Sequence, residues 1–190
     1  MSDEACCYPP DFRVLRNRFG IRDASDLDIV EREFVTERSR QSIPLSTFDL
    51  KHLKAIHRHL FQDVYDWAGE LRTVEISKGG SQFQFRRFIE AGMADVHRRL
   101  VDGRFLRRLD AEGFAAGAAA ILGDVNYVHP FREGNGRTQM VYLAQLARQA
   151  GHGLDLAGFE AQAWMAASRQ AHLADYAPMA RCIAGAIRTA

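Results

Sequence analysis

The stretch that decides how this chain folds and what it can do reads NYVHPFREGNGR and runs from position 126 to position 137. An apolar helical pattern leads into it. Pro130 disfavours helical geometry at His129 and has no amide hydrogen to donate. We therefore expect His129 at the exit of a helix, where it faces whatever lies across the following loop.

The second half of this stretch has the residue types that bind phosphate groups. Gly134, Asn135 and Gly136 lead straight into the next helical pattern, and their amides at the positive end of the helix dipole predict an anion pocket. Arg137 adds a fork of donors that fits phosphate oxygens. Glu133 is a poor partner for bare phosphate but a good ligand for Mg²⁺ that bridges phosphates. The stretch thus offers a base, a metal ligand, an anion cradle and a charge clamp.

Outward from this stretch, the chain is mostly helical in its pattern. Apolar residues recur at helical spacing in seven segments, roughly 23–34, 50–64, 86–100, 110–128, 136–150, 156–172 and 175–187. Residues 73–85 alternate instead, with glycines at the turn, which predicts a β-hairpin that must lean on helices or be mobile. Phe83 and Phe85 share one face of it, either packed inward or offered to a partner. The predicted fold class is mainly α, a helical bundle core with a small β-hairpin flap (residues 73–85).

Length and composition exclude several classes of protein. The 190 residues suit one domain, and 47% hydrophobic residues can supply a sizeable core. The 25 basic and 24 acidic residues nearly cancel, so we expect no direct nucleic-acid partner. No apolar run approaches the ~20 residues of a membrane span, and the acidic first residues do not resemble a signal peptide. With three cysteines at no metal-ligand spacing, a soluble cytoplasmic protein without a membrane partner is expected.

The nonapeptide HPFREGNGR resembles the signature of the Fic (filamentation induced by cAMP) family, H-x-F-x-[D/E]-G-N-G-R-x-x-R. Supporting similarity lies at residues 19–21, 57–61, 67–70 and 76–80. The resemblance covers nearly the whole chain and predicts a single Fic domain over residues 1–190. Its parts would be an N-terminal arm (1–10), the flap (73–85), and a catalytic loop with the following helix (126–150). The chain looks like the compact bacterial Fic proteins that act as toxins alongside a small antitoxin.

The resemblance implies transfer of AMP from ATP, with Mg²⁺ as cofactor, to a Tyr, Thr or Ser hydroxyl of a target protein. His129 would take the proton from that hydroxyl, and Glu133 would hold Mg²⁺ on the α- and β-phosphates. Arg137 would neutralise the β-phosphate region. The anion hole would come from Gly134, Asn135 and Gly136.

The resemblance also assigns roles to residues outside the anion hole. Lys78 and Gly79 of the flap would border the nucleotide, and the flap would align the target segment by strand-like pairing. Asn126, one turn before the histidine, would border the nucleotide as well. Phe131 would anchor the loop in the core. Standalone Fic toxins modify bacterial type II topoisomerases, so DNA gyrase and topoisomerase IV subunits are the expected targets.

Two departures from the family pattern leave alternatives open. Met140 stands where the family has its second arginine, and it offers neither charge nor donor. This replacement leaves four alternatives open: weaker or reoriented ATP binding, another nucleotide-linked donor, a phosphoryl transfer, or a catalytically lapsed binding module. The phosphorylating branch of the family has Lys where this chain has Gly136, which argues against a kinase. No Glu has Ser or Thr four positions before it, so the sequence shows no inhibitory motif of the family's kind, and a small antitoxin acting in trans is expected.

Three histidines on one predicted helix raise a separate question. His52 and His59 are seven positions apart and share a face, with His57 between them. No carboxylate or cysteine lies near them at ligand spacing, so solvated or core histidines are favoured over a metal site.

Overall fold

The computed structural model describes residues 6–43, 47–78 and 80–188, and α-helices dominate these ranges. The helices are α1 (Ala24–Ser39), α2 (Leu50–Phe61), α3 (Ile89–Asp102), α4 (Ala111–Val128), α5 (Asn135–Ala150), α6 (Ala161–Ala171) and α7 (Ala177–Ala186). Short 3₁₀ turns occupy Arg86–Phe88, Arg104–Leu106 and Leu156–Gly158. The mainly α fold class predicted from the sequence is confirmed. Within these ranges, no helix is both long enough and apolar enough to cross a membrane.

The strands in the described ranges are two residues long and form two antiparallel pairs. β1 (Ser77–Lys78) pairs with β2 (Ser81–Gln82), and Ser77 lies opposite Gln82. β3 (Gly153–Leu154) pairs with β4 (Ile187–Arg188) and ties the end of α5 to the end of α7. The first pair is the tip of the flap.

Helix α4 is the centre of the bundle, and α3, α5, α6 and α7 pack around it. Its small residues allow this close packing, because Ala115, Ala118 and Ala119 are buried with no long side chain to accommodate. At Gly123 a Cβ atom would lie 2.5 Å from the ring of Tyr176, which precedes α7, so only glycine fits there. The central helix is therefore buried up to its last residue, Val128, and this fixes the position of His129, which follows it.

Aspartate side chains cap the N-termini of three helices. The carboxylates of Asp23, Asp49 and Asp110 accept hydrogen bonds from amides in the first turns of α1, α2 and α4. The two C-terminal helices are shorter than their patterns predicted, because residues 156–158 form a 3₁₀ turn and residues 172–176 connect α6 to α7. Helix α5 differs from these, since Gly134 precedes it and no side chain caps its amides.

The flap is less regular than its alternating pattern predicted. The predicted strands shrink to β1 and β2 because the chain turns inward at Phe83, and the Gln84 amide donates to the Tyr127 carbonyl at 3.0 Å instead of extending the ladder. The prediction that Phe83 and Phe85 share a face was wrong. Phe83 is buried, while Phe85 is 52% exposed.

The described part of the N-terminal arm packs against the domain. Cys7 is fully buried and pairs with Leu15 in an isolated antiparallel bridge. The amide of Tyr8 donates to the carbonyl of Val14 at 2.8 Å. Residues 1–5 of the predicted arm lie outside the described residues.

Candidate active site

One cavity of about 1620 Å³ gathers most of the residues that the sequence singled out. It lies between the flap, the end of α4, the start of α5 and helix α6. The predicted site residues on its walls are Lys78, Asn126, His129, Glu133, Gly134, Asn135, Gly136 and Arg137. Gly79, which was also predicted, lies outside the described residues.

His129 is held in one orientation and one protonation state. It follows the last turn of α4 in a left-handed conformation, with φ of 47° and ψ of 63°. Its Nδ1 lies 3.1 Å from the carbonyl oxygen of Asn126, so Nδ1 carries the proton and Nε2 keeps a free lone pair. Phe83 stacks on the imidazole with ring centroids 3.8 Å apart. Burial lowers the pKa of His129 to about 4, and the imidazole is therefore neutral near pH 7.

The loop between α4 and α5 is fixed from within. Asn135 is buried, and its amide side chain accepts from the Phe131 amide at 3.0 Å and donates to the Phe131 carbonyl at 2.8 Å. Phe131 is fully buried, as the resemblance implied. The side chain of Asn135 therefore closes the loop, and its backbone amide can serve an anion.

His57 fastens this loop to α2. It is fully buried and stacks on Phe131 at a centroid distance of 4.0 Å. Its Nδ1 accepts from the Gly69 amide at 2.8 Å, so its Nε2 donates to the carbonyl of Glu133 at 3.0 Å. Burial lowers the pKa of His57 to about 4. The residue is thus a neutral bridge inside the protein rather than a metal ligand.

The other two histidines of α2 also have protein partners. Nδ1 of His52 accepts from the Phe48 amide at 3.2 Å, and Nε2 of His59 lies 2.9 Å from the Arg38 carbonyl. Among the described residues, no group of three or more His, Cys, Asp or Glu side chains could hold a metal ion. His52 and His59 therefore both contact backbone groups of the protein.

The start of α5 presents open amides to the cavity. The first i to i−4 bond of the helix runs from the Thr138 amide to the Gly134 carbonyl at 3.1 Å, so the amides of residues 135–137 have no partner within the helix. Gly134 has φ of +79°, and a Cβ there would lie 2.4 Å from the Phe61 ring. Gly136 is exposed, and a Cβ there would meet nothing within 4 Å. This turn has the geometry and the dipole of an anion site.

Arg137 is held by residues that the sequence reasoning missed. Its Nη2 lies 2.6 Å from Oε1 of Glu31, a buried carboxylate on α1, and 3.7 Å from Oε1 of Glu133. The hydroxyl of Tyr65 donates to the other oxygen of Glu31, and burial together with this carboxylate raises the pKa of Tyr65. The guanidinium also lies over the Phe61 ring, 4.8 Å from its centroid. Arg137 is therefore a positioned cation, already paired on one side.

A signal for Glu31 was present in the sequence. The buried residues of α1 are Leu27, Glu31 and Val35. Glu31 thus falls four positions from an apolar neighbour on each side, on the face that turns inward. A lone carboxylate in a buried helical row indicates a fixed cation opposite.

Glu133 fits the predicted magnesium site. Its side chain is about half exposed, and Oε1 accepts from the Gly134 amide at 2.9 Å. Mg²⁺ is commonly held by one or two carboxylates together with substrate phosphates. A single carboxylate beside an open anion site is such a donor set.

Two further findings concern the predicted periphery of the site. Asn126 contributes its carbonyl to His129, while its side-chain amide donates to the Ser168 carbonyl on α6 at 3.3 Å. Met140 lines the cavity one turn after Gly136, on the same face of α5. Arg148 of α5 and Arg169 of α6 line the same cavity.

Proteins of similar sequence are known. Residues 47–147 match the model of the Fic/DOC family. A Sinorhizobium fredii protein named "probable protein adenylyltransferase y4lH" is 40% identical over 179 residues, which cover 94% of this chain and 93% of that protein. The protein adenylyltransferase VbhT of Bartonella schoenbuchensis is 41% identical over 167 residues, which cover 86% of this chain and 35% of that longer protein.

Solved structures share the fold. The BepC effector protein of Bartonella tribocorum superposes with a TM-score of 0.89 at 23% identity, over 98% of both chains. The N-terminal Fic domain of a VirB-translocated Bep effector of Bartonella quintana, crystallised with bound ADP, gives a TM-score of 0.86 at 26% identity. That superposition covers 93% of this chain and 91% of the other.

Proposed function

The chain belongs to the Fic/DOC family, and from this premise we propose that it is a protein adenylyltransferase. It would transfer AMP from ATP to a Tyr, Thr or Ser hydroxyl of a target protein. One observation carries the proposal: His129, with its proton on Nδ1 and Nε2 free, lines the same cavity as the open amides at the start of α5. A base and an anion site on one cavity are what attack on the α-phosphorus of a nucleoside triphosphate requires.

The proposed reaction forms one bond and breaks another at the α-phosphorus. The target oxygen bonds to that phosphorus, the bond to the oxygen bridging to the β-phosphate breaks, and pyrophosphate leaves. Nε2 of His129 accepts the hydroxyl proton, a contribution of typically ~10²–10⁴-fold. The stack on Phe83 and the bond to the Asn126 carbonyl hold the ring in place, so little reorganisation is needed.

The remaining site residues stabilise charge in this proposal. The amides of residues 135–137 would bind phosphate oxygens, with Arg137 beside them. Glu133 would hold Mg²⁺, which when bound neutralises charge on the phosphates. Lys78, on the cavity wall formed by the flap, would add a second cation at the nucleotide.

Met140 is the reason for two alternatives to AMP transfer from ATP. With no cation at this position, the terminal phosphate of ATP would lack the partner that the family pattern supplies. Transfer of another nucleotide-linked or phosphoryl group is therefore the second candidate, and a Fic-fold binding module without catalysis is the third. ATP stays the first choice because the base, the metal ligand and the anion site all line this cavity.

Partners, regulation and location are also part of the proposal. We propose a small antitoxin acting in trans, since no Glu of the chain fits the family's inhibitory pattern. DNA gyrase and topoisomerase IV subunits are the targets we would test first. A cytoplasmic location, where ATP is available, is the location we propose.

A labelling experiment tests the reaction. The protein would be incubated with Mg²⁺, bacterial lysate or purified gyrase and topoisomerase IV subunits, and ATP labelled at either the α- or the γ-phosphate. We expect protein label from the α position only, lost in His129→Ala and kept in His152→Ala, a histidine variant outside the cavity lining. Label from γ alone would indicate a kinase, and no label from any nucleotide would indicate the binding module. Met140→Arg should raise ATP-dependent transfer if position 140 limits it.

A further inference from the structure

Arg72 lies between α2 and the flap, and every N–H group of its guanidinium has a hydrogen-bond acceptor. Its side chain is fully buried. An arginine has five N–H donors, and five acceptors surround this one. The acceptors are the carbonyls of His129 (2.8 Å from Nε), Val74 (2.9 Å from Nη1), Val128 (3.4 Å from Nη2) and Gln84, and the carboxylate of Glu75 (3.2 Å from Nη1).

These acceptors belong to two parts of the active site. Val74 and Gln84 lie near the two ends of the flap, whereas the carbonyls of residues 128 and 129 end α4. The backbone of Arg72 adds a sixth link, because its amide donates to the Pro130 carbonyl at 2.9 Å. Arg72 does not line the cavity and lies behind its wall. One side chain therefore joins both arms of the flap to the backbone of the catalytic histidine.

We propose that Arg72 is a positioning residue that sets the register between the flap and His129, a role that rests on the adenylyltransferase function proposed above. The flap would present the target hydroxyl, and His129 would take its proton. The two must therefore be fixed relative to each other to within a fraction of an ångström. Arg72 provides that link without touching either substrate.

The backbone of His129 shows why such a link is needed. A left-handed conformation is unfavourable for a residue with a Cβ and persists only where its surroundings impose it. The amide of His129 is bound to the Val125 carbonyl at 3.0 Å, and its own carbonyl is bound by Nε of Arg72. The carbonyls at the end of α4 also carry the negative end of the helix dipole, which favours a cation there.

Lysine cannot reproduce this arrangement. It has three donors on a single nitrogen, so it can keep the charge while losing at least two of the five contacts. Glutamine loses the charge as well. The pair Arg72→Lys and Arg72→Gln therefore separates the geometry of the fork from its charge.

Steady-state kinetics with the whole chain test the proposal. We expect kcat for AMP transfer to fall about 10–100-fold in both variants and KM for the target to rise. The dissociation constant for a non-hydrolysable ATP analogue should stay within about threefold, because the anion site does not contact Arg72. Arg99→Lys is the matched control: Arg99 joins α3 to Asp124 of α4, away from the cavity, and its variant should keep kcat. Folded Arg72 variants with wild-type kcat and target KM would overturn the proposal.

A measurement on the unmodified protein covers the case in which these variants do not fold. Hydrogen exchange of the free chain should show the Gln84 amide of the flap and the His129 amide opening together, with equal protection. Opening of the flap amide alone, while the loop stays protected, would refute the link. Because this measurement needs no substrate, it stands even if the wild type transfers no AMP, a result that would refute the proposed function instead.

Discussion

Replacing His57 by glutamine should remove a defined part of the pH dependence of stability. Glutamine can still accept from the Gly69 amide and donate to the Glu133 carbonyl, but it does not titrate. The pKa of His57 is about 4 in the folded protein and 6.5 when unperturbed. Between these values the unfolded chain binds more protons than the folded one, so wild-type stability falls as the pH falls.

The size of this effect follows from the two pKa values. From pH 8 to pH 5 the wild type loses about 2 kcal/mol through His57, out of roughly 3.4 kcal/mol for the full shift. Other groups, including His129, titrate in both proteins and cancel in the comparison. Urea unfolding followed by circular dichroism at pH 8, 7, 6 and 5 measures both curves. His57→Gln should be less stable than the wild type at pH 8. The difference in unfolding free energy between the two proteins should be about 2 kcal/mol smaller at pH 5. Parallel curves would mean that His57 is not held neutral by burial.

Three further predictions concern the cavity. Gly134→Ala should lower the free energy of unfolding by about 2–4 kcal/mol, because φ is positive there and a Cβ would overlap the Phe61 ring. Thermal melts measure this loss, and Gly136→Ala is the control that should be tolerated. Glu31→Gln should lower the rate of AMP transfer about 10–100-fold and raise the Mg²⁺ concentration that gives half-maximal activity, because Glu133 becomes the only carboxylate that pairs with Arg137 in this cluster. An unchanged Mg²⁺ titration would contradict this. With a pKa of about 4, His129 should support nearly the same rate at pH 6 as at pH 7.5, whereas an ordinary histidine would keep about a quarter.

The parts of the site that sequence predicts well are those set by neighbouring residues. Pro130 after an apolar helix placed His129 at a helix exit, and glycines before a helical pattern placed open amides at the start of α5. In both cases the local backbone determines the geometry. The helical class was predictable for the same reason, since the spacing of apolar residues is a local signal.

The parts that sequence did not predict depend on contacts between distant segments. Glu31 meets Arg137 only because α1 and α5 both pack on α2, and no spacing rule links the two positions. The residues next to Arg72 in sequence do not show that its side chain is buried, because most of its acceptors lie on the flap and at the end of α4. The alternating pattern overstated the strands because Phe83 leaves the ladder to stack on His129, a tertiary choice that overrides strand propensity.

The position of Glu31 on α1 sets a lower limit on the portion of the chain that can work as an enzyme. The family match begins at residue 47, after α1 has ended. A fragment trimmed to that match would keep the whole nonapeptide HPFREGNGR, yet Arg137 would lose Glu31 and keep only Glu133 as its carboxylate partner. Expression boundaries for activity or crystallisation should therefore retain α1, even though the most recognisable part of the sequence lies far downstream.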